Sequence, residues 1–139
     1  MSVASSSTGV DRPRRSALDR VTARRFAVTE YQRFADLLAI LTPAHWALPT
    51  CCPGWDVRAM AGHVVGMAEM AASASEFARQ QLAAVRRSGF RAGPQQLLDG
   101  LTAVQVAKND HLTIEELVAA ARAVGPRAVR ARFGIPRPW

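Results

Sequence analysis

From residue 16 onward, apolar side chains recur mostly three and four positions apart. The first such run includes Leu18, Val21, Phe26, Val28, Tyr31, Phe34, Leu37, Leu38 and Leu41, with Arg and Glu between them. That period predicts an amphipathic helix over residues 16–41. It should stop there, because the residue before Pro43 is disfavoured in α geometry. A second run, at positions 57, 60, 61, 64, 67, 68, 71 and 74, predicts a helix over residues 57–87. At about 1.5 Å per residue it would be ~45 Å long. Asp56 offers a carboxylate to its first free amides, and Arg86 and Arg87 suit its C-terminal end. Pro94 followed by Leu97, Leu98, Leu101, Val104 and Val106 predicts a third helix over 94–110. A fourth, over 113–131, opens on the capping-box spacing Thr113-Ile114-Glu115-Glu116. Gly125-Pro126 should interrupt or kink it. No stretch alternates as a strand would, and no repeat is visible. The expected class is all-α.

Between the first two helices lie Pro43, Pro49, Pro53 and Gly54 within twelve residues. Prolines fix φ, so residues 42–54 should form an ordered turn, with Trp46 or Trp55 anchoring it to the bundle. Residues 1–15 are small, polar and basic and are expected to be a disordered leader. The helical domain is then 16–132, followed by an irregular tail at 133–139.

Composition adds two points. Alanine dominates the apolar set, which favours closely packed helices. The formal net charge of +7 is unevenly spread. Residues 1–25 hold six Arg against Asp11 and Asp19, and the chain beyond residue 117 holds five Arg and no acid. Residues 26–117 carry seven basic and nine acidic groups, so the body is near neutral. Basic termini can attract phosphate backbones, but no nucleic-acid-reading element accompanies them, and nucleic acid is disfavoured as a partner. No stretch approaches the ~20 consecutive apolar residues of a membrane span, and the N-terminus lacks the apolar segment of a secretory signal. No membrane partner is expected. Cys51 and Cys52 are adjacent, and a bridge between neighbours would be severely strained. Free thiols in a reducing compartment follow, with the cytoplasm as the expected location.

There is no glycine-rich phosphate loop, no CxxC pair and no HExxH. Histidine chemistry must draw on His45, His63 and His111. His63 shares a helix face with Met60, Met67 and Met70. An imidazole on such a face is either a polar group with one partner or a metal ligand. The methionines themselves read as core packing. His45 and His111 read as exposed boundary residues. Cys52 is either a reactive thiol near a helix N-terminus or a small residue closing the Pro-Gly turn.

The run Trp46, Leu48-Pro49-Thr50-Cys51-Cys52-Pro53-Gly54-Trp55-Asp56-Val57-Arg58 and His63 resembles the N-terminal region of the mycothiol-dependent maleylpyruvate isomerase family, one of the DinB-like metal-binding bundles. The resemblance spans residues 20–132, and its distinctive part is 46–63. It implies a DinB-like four-helix bundle holding a divalent metal, usually zinc, with His63 as the first ligand. It also implies mycothiol as cosubstrate and a metal-dependent isomerase or transferase activity on a small molecule.

The family's other two ligands, a Glu and a His one turn apart on a later helix, have no counterpart here. After Glu116 the chain contains no Asp, Glu or His. Glu69 lies about 240° around the helix from His63 and cannot easily share a metal with it. The bundle is therefore expected to be C-terminally truncated and to bind zinc poorly on its own. The alternative is a non-catalytic helical fragment that self-associates as a homodimer.

Overall fold

The computed structural model describes residues 17–134. Expectations for residues 1–15 and for the last five positions lie outside them. The first helix, α1 (Arg20–Ala39), starts later than its apolar pattern suggests, because Asp19 is its cap. The Asp19 carboxylate accepts the Thr22 amide at 2.9 Å. The turn before Pro43 then leads into a short helix that the sequence reading missed, α2 (Pro43–Trp46). Thr42 caps it, and its own amide donates to His45 Nδ1 at 3.2 Å. His45 is exposed, and this local capping is its role in the fold.

The expected 57–87 helix is two helices, α3 (Val57–Ala72) and α4 (Ala74–Ser88). The break is at Ser73, which is extended (φ −148°, ψ 126°) and whose hydroxyl accepts the Glu76 amide at 3.3 Å. A serine that caps the next helix cannot also continue the previous one. Next comes α5 (Pro94–Asn109), close to expectation, and then α6 (Ile114–Gly134). Thr113 and Glu116 form the reciprocal capping box that opens α6. Gly125-Pro126 does not end α6, which runs on through Phe133 and Gly134. Gly125 is buried against Tyr31, where an added Cβ would sit 2.6 Å from the tyrosine Cβ. Pro126 is exposed, so the carbonyl that loses its amide partner faces water rather than core.

The fold is all-α. Among the described residues there are six helices and no strand, apart from one isolated bridge between Pro49 and Asp56. Helix α3 is central and packs on α6, α5 and α4, while α1 packs on α6 and α4 on α5. The apolar core lies where α1, α6 and α3 meet, around Leu38, Val65, Leu117, Ala121 and Val124. Trp46, only 3% exposed, closes its end. The expectation that an indole pins the 42–54 turn to the bundle is met by Trp46.

Candidate functional site around His63

The turn before α3 is built by Thr50. Its amide donates to the Trp55 carbonyl at 2.9 Å, its hydroxyl donates to the same oxygen at 3.0 Å, and that hydroxyl accepts the Cys52 amide at 3.1 Å. Gly54 reverses the chain at φ +79°, a conformation that side chains rarely adopt. Val57 then bonds back to Leu48 at 3.0 Å, and the Asp56 carboxylate caps α3 by accepting the Ala59 amide at 2.7 Å. Arg58 donates to the backbone carbonyls of Asp110 and Leu112, which fixes the start of α3 against the α5–α6 turn. The Pro-Thr-Cys-Cys-Pro-Gly-Trp segment is thus a rigid bracket. Cys51 is exposed and Cys52 half-buried, both as free thiols.

What the bracket positions is Trp55, whose ring meets His63 edge to face, centroids 5.1 Å apart and planes at 62°. His63, two turns into α3, is half-buried. Its Nδ1 is fully buried and finds no hydrogen-bond partner among the described residues, and the same holds for the Trp46 indole nitrogen. Burial holds the His63 pKa below its ordinary 6.5, while the Gln105 side chain acts in the opposite sense. Burial thus favours the neutral form of the imidazole. The expected methionine neighbours are less enclosed than their pattern suggests. Met60 and Met70 are half-buried, and Met67 is 42% exposed, so the histidine's face opens towards solvent.

Behind His63 lies a polar network that the sequence reading did not find. Gln105 Nε2 donates to Gln80 Oε1 at 3.1 Å and contacts Met70 Sδ at 3.8 Å. Gln80 Nε2 donates to the Gly66 carbonyl at 3.0 Å and to Glu76. Asn109 Nδ2 donates to the Gly62 carbonyl at 3.0 Å. Gln80, Gln105 and Asn109 are all buried. Gly66 allows this closeness, since a Cβ there would be 2.9 Å from Gln105 Cβ. At the rim, Lys108 pairs with Glu69 and lies 3.5 Å from Glu76. The Arg79 hydrogen bonds hold the Glu76 carboxyl down at about 2, with Gln80 and Lys108 adding to the effect. The spacing Gly62-x-x-x-Gly66 was the sequence signal for this close helix contact. Nothing in the sequence pattern marked the glutamines.

The remaining sequence candidates do not join His63. His111 is exposed at the α5–α6 turn, and Glu69 is committed to Lys108. A recess of about 670 Å³ lies elsewhere, between α1 and α6, lined by Leu38, Leu41, Ile114 and Val118. Its polar lining residues, Glu115 and Arg122, are exposed. The His63 imidazole is the stronger candidate than that open apolar groove, because of the two buried unpaired nitrogens, His63 Nδ1 and Trp46 Nε1, only the imidazole's can also act as a base or a metal ligand. Trp55 also lines a groove of about 470 Å³ with Arg87, Asp99, Thr102 and Asp110.

A family model described as the mycothiol maleylpyruvate isomerase N-terminal domain matches residues 27–138. The chain belongs to that family. No curated protein and no solved structure matches it. A catalytic zinc centre takes three protein ligands. Among the described residues of this family member, no group of three or more His, Cys, Asp or Glu could hold a metal. The free Nδ1 of His63 is suited to one metal bond, but the donor set around it does not fit a complete centre on one chain.

Proposed function

We propose that this domain binds a small thiol, mycothiol by family, at His63, in an isomerase- or transferase-like role. The observation that carries the proposal is the buried, unpartnered Nδ1 of a neutral imidazole beside the Trp55 ring. In the tautomer with its proton on Nε2, this nitrogen accepts a hydrogen bond, and a thiol S–H is a weak donor that can supply one. The depressed pKa makes His63 an acceptor and orienting group rather than a strong base. The Trp55 ring packed against His63 supplies an apolar surface for the carbon atoms next to the thiol. Zinc enters only as an ion that His63 could meet with donors from another chain, and no step here depends on it. Calorimetric titration of mycothiol into the wild type and His63→Ala tests the proposal. Saturable binding lost in the variant supports it, and equal heats in both proteins refute it.

A second reading is self-association, favoured by the 42% exposure of Met67 on the histidine's own face. It predicts a dimer by sedimentation equilibrium that Met67→Lys returns to monomer. A monomeric wild type at high micromolar concentration removes it.

A further inference from the structure

The arginines at the start of α1 and those near the end of α6 are far apart in the sequence but lie at one end of the molecule. Helices α1 and α6 pack together, and the Arg20 guanidinium reaches the Phe133 carbonyl, 113 residues away. The start of α1 therefore lies beside the end of α6. Arg24 and Arg25 from α1, and Arg127, Arg130 and Arg132 from α6, are all exposed. None of these five has a carboxylate within ion-pair distance among the described residues. Elsewhere Arg33, Arg58, Arg79, Arg122 and Lys108 are each paired, while the exposed Arg86, Arg87 and Arg91 around the end of α4 form a smaller group without an ion pair among the described residues. The sequence adds Arg12, Arg14 and Arg15 just ahead of α1. Five guanidinium groups without an ion pair, set against the one carboxylate of Asp19 at the start of α1, leave this end strongly positive, a field suited to a polyanion.

Apolar side chains stand among them. Val21 is 79% exposed, Phe26 47% and Leu18 46%, all within the first turns of α1 or just before it. Arg25 stacks over the Phe26 ring at 5.7 Å. Exposed apolar groups gain nothing from a phosphate backbone alone. At an anionic lipid surface they enter the acyl boundary while the arginines reach headgroup phosphates. We propose that the α1-start/α6-end face docks this domain peripherally on an anionic lipid bilayer. That departs from the expectation of no membrane partner, which rested on the lack of a spanning segment. No helix among the described residues is long and apolar enough to cross a membrane. The sequence, read linearly, divided the charge between two termini; the packing of α1 on α6 sums it.

The test is co-sedimentation of the full chain with vesicles of phosphatidylglycerol and phosphatidylcholine, and of phosphatidylcholine alone. Binding is expected only with the anionic vesicles and should be abolished by about 0.5 M salt, since exposed charges are screened there. Arg127→Gln/Arg130→Gln should weaken partitioning at least about tenfold. Val21→Ser, at an exposed position, should weaken it severalfold with an unchanged circular-dichroism spectrum. Equal binding to neutral vesicles, or full retention by either variant, overturns the proposal. So does binding to duplex DNA with none to anionic vesicles.

Discussion

The two halves of the molecule are held together by different chemistry. Where α1, α6 and α3 meet, the contacts are apolar: Ala35, Leu38, Val65, Leu117, Val124 and Ala128. Where α3, α5 and α4 meet, the buried polar groups are Gln80, Gln105 and Asn109, beside the apolar Ala84, with Gly66 and Gly100 allowing close approach. The first kind of interface stabilises in proportion to area and tolerates modest repacking. The second depends on every amide finding its partner, because an unmatched buried polar group costs more than a made one gains. His63 sits against the second kind. The proposed ligand-binding role of His63 needs a fixed orientation, and a hydrogen-bonded wall fixes it more tightly than Ala and Val would.

Substitutions should separate the two halves. Leu117→Ala, at a residue with no exposed surface, should cost about 2–5 kcal/mol by urea unfolding. Its effect on His63 chemical shifts should be small. A large His63 shift would mean the halves are not independent. Gln80→Ala should cost less, about 1–3 kcal/mol, because it strands Gln105 and frees the Gly66 carbonyl. It should, however, visibly disturb the His63 resonance. An unperturbed histidine would deny the network its positioning role.

The pH response sharpens the contrast, because both shifted groups with a buried or network role lie in the polar half. Glu76 titrates at about 2 in the fold, against an ordinary 4.5. Unfolding therefore takes up a proton between those values, and stability falls as pH drops from about 4.5 towards 2. His63 is likewise depressed, so the unfolded chain takes up a proton first as pH falls through 6.5, and stability declines there too. Urea midpoints across pH should show both slopes. Glu76→Gln should flatten the lower one, leaving the share of Asp19, whose carboxyl the Thr22 hydrogen bonds also hold down, and His63→Phe should remove the upper. Persistence of either slope in its variant assigns it elsewhere. The smallest effect belongs to the exposed Arg33–Glu30 pair, where Arg33→Ala should change stability by less than about 0.5 kcal/mol.

Much of this fold was legible in the sequence, and the failures have physical causes. The apolar period gave α1, α5 and α6, and the Thr113–Glu116 box gave the start of α6 to within a residue. The break at Ser73 was missed because alanine continues the helical period on both sides. The local Ser73-x-x-Glu76 capping spacing was nevertheless present. Pro126 does not interrupt α6: the ring stands on the exposed side of the helix, where the loss of one backbone hydrogen bond costs least. The site was half legible. His63 and the Trp55 bracket carried a recognisable motif. Gln80 and Gln105 did not, because a glutamine reads as surface until a partner 25 residues away is brought beside it.

The most direct test of the account is ¹⁵N NMR of the His63 ring through a pH titration, without and with mycothiol. A neutral imidazole at pH 7, with a pKa below 6.5 and an Nδ1 resonance that moves on adding the thiol, is the predicted result. A His63 charged at neutral pH, or an Nδ1 indifferent to saturating mycothiol, would contradict it.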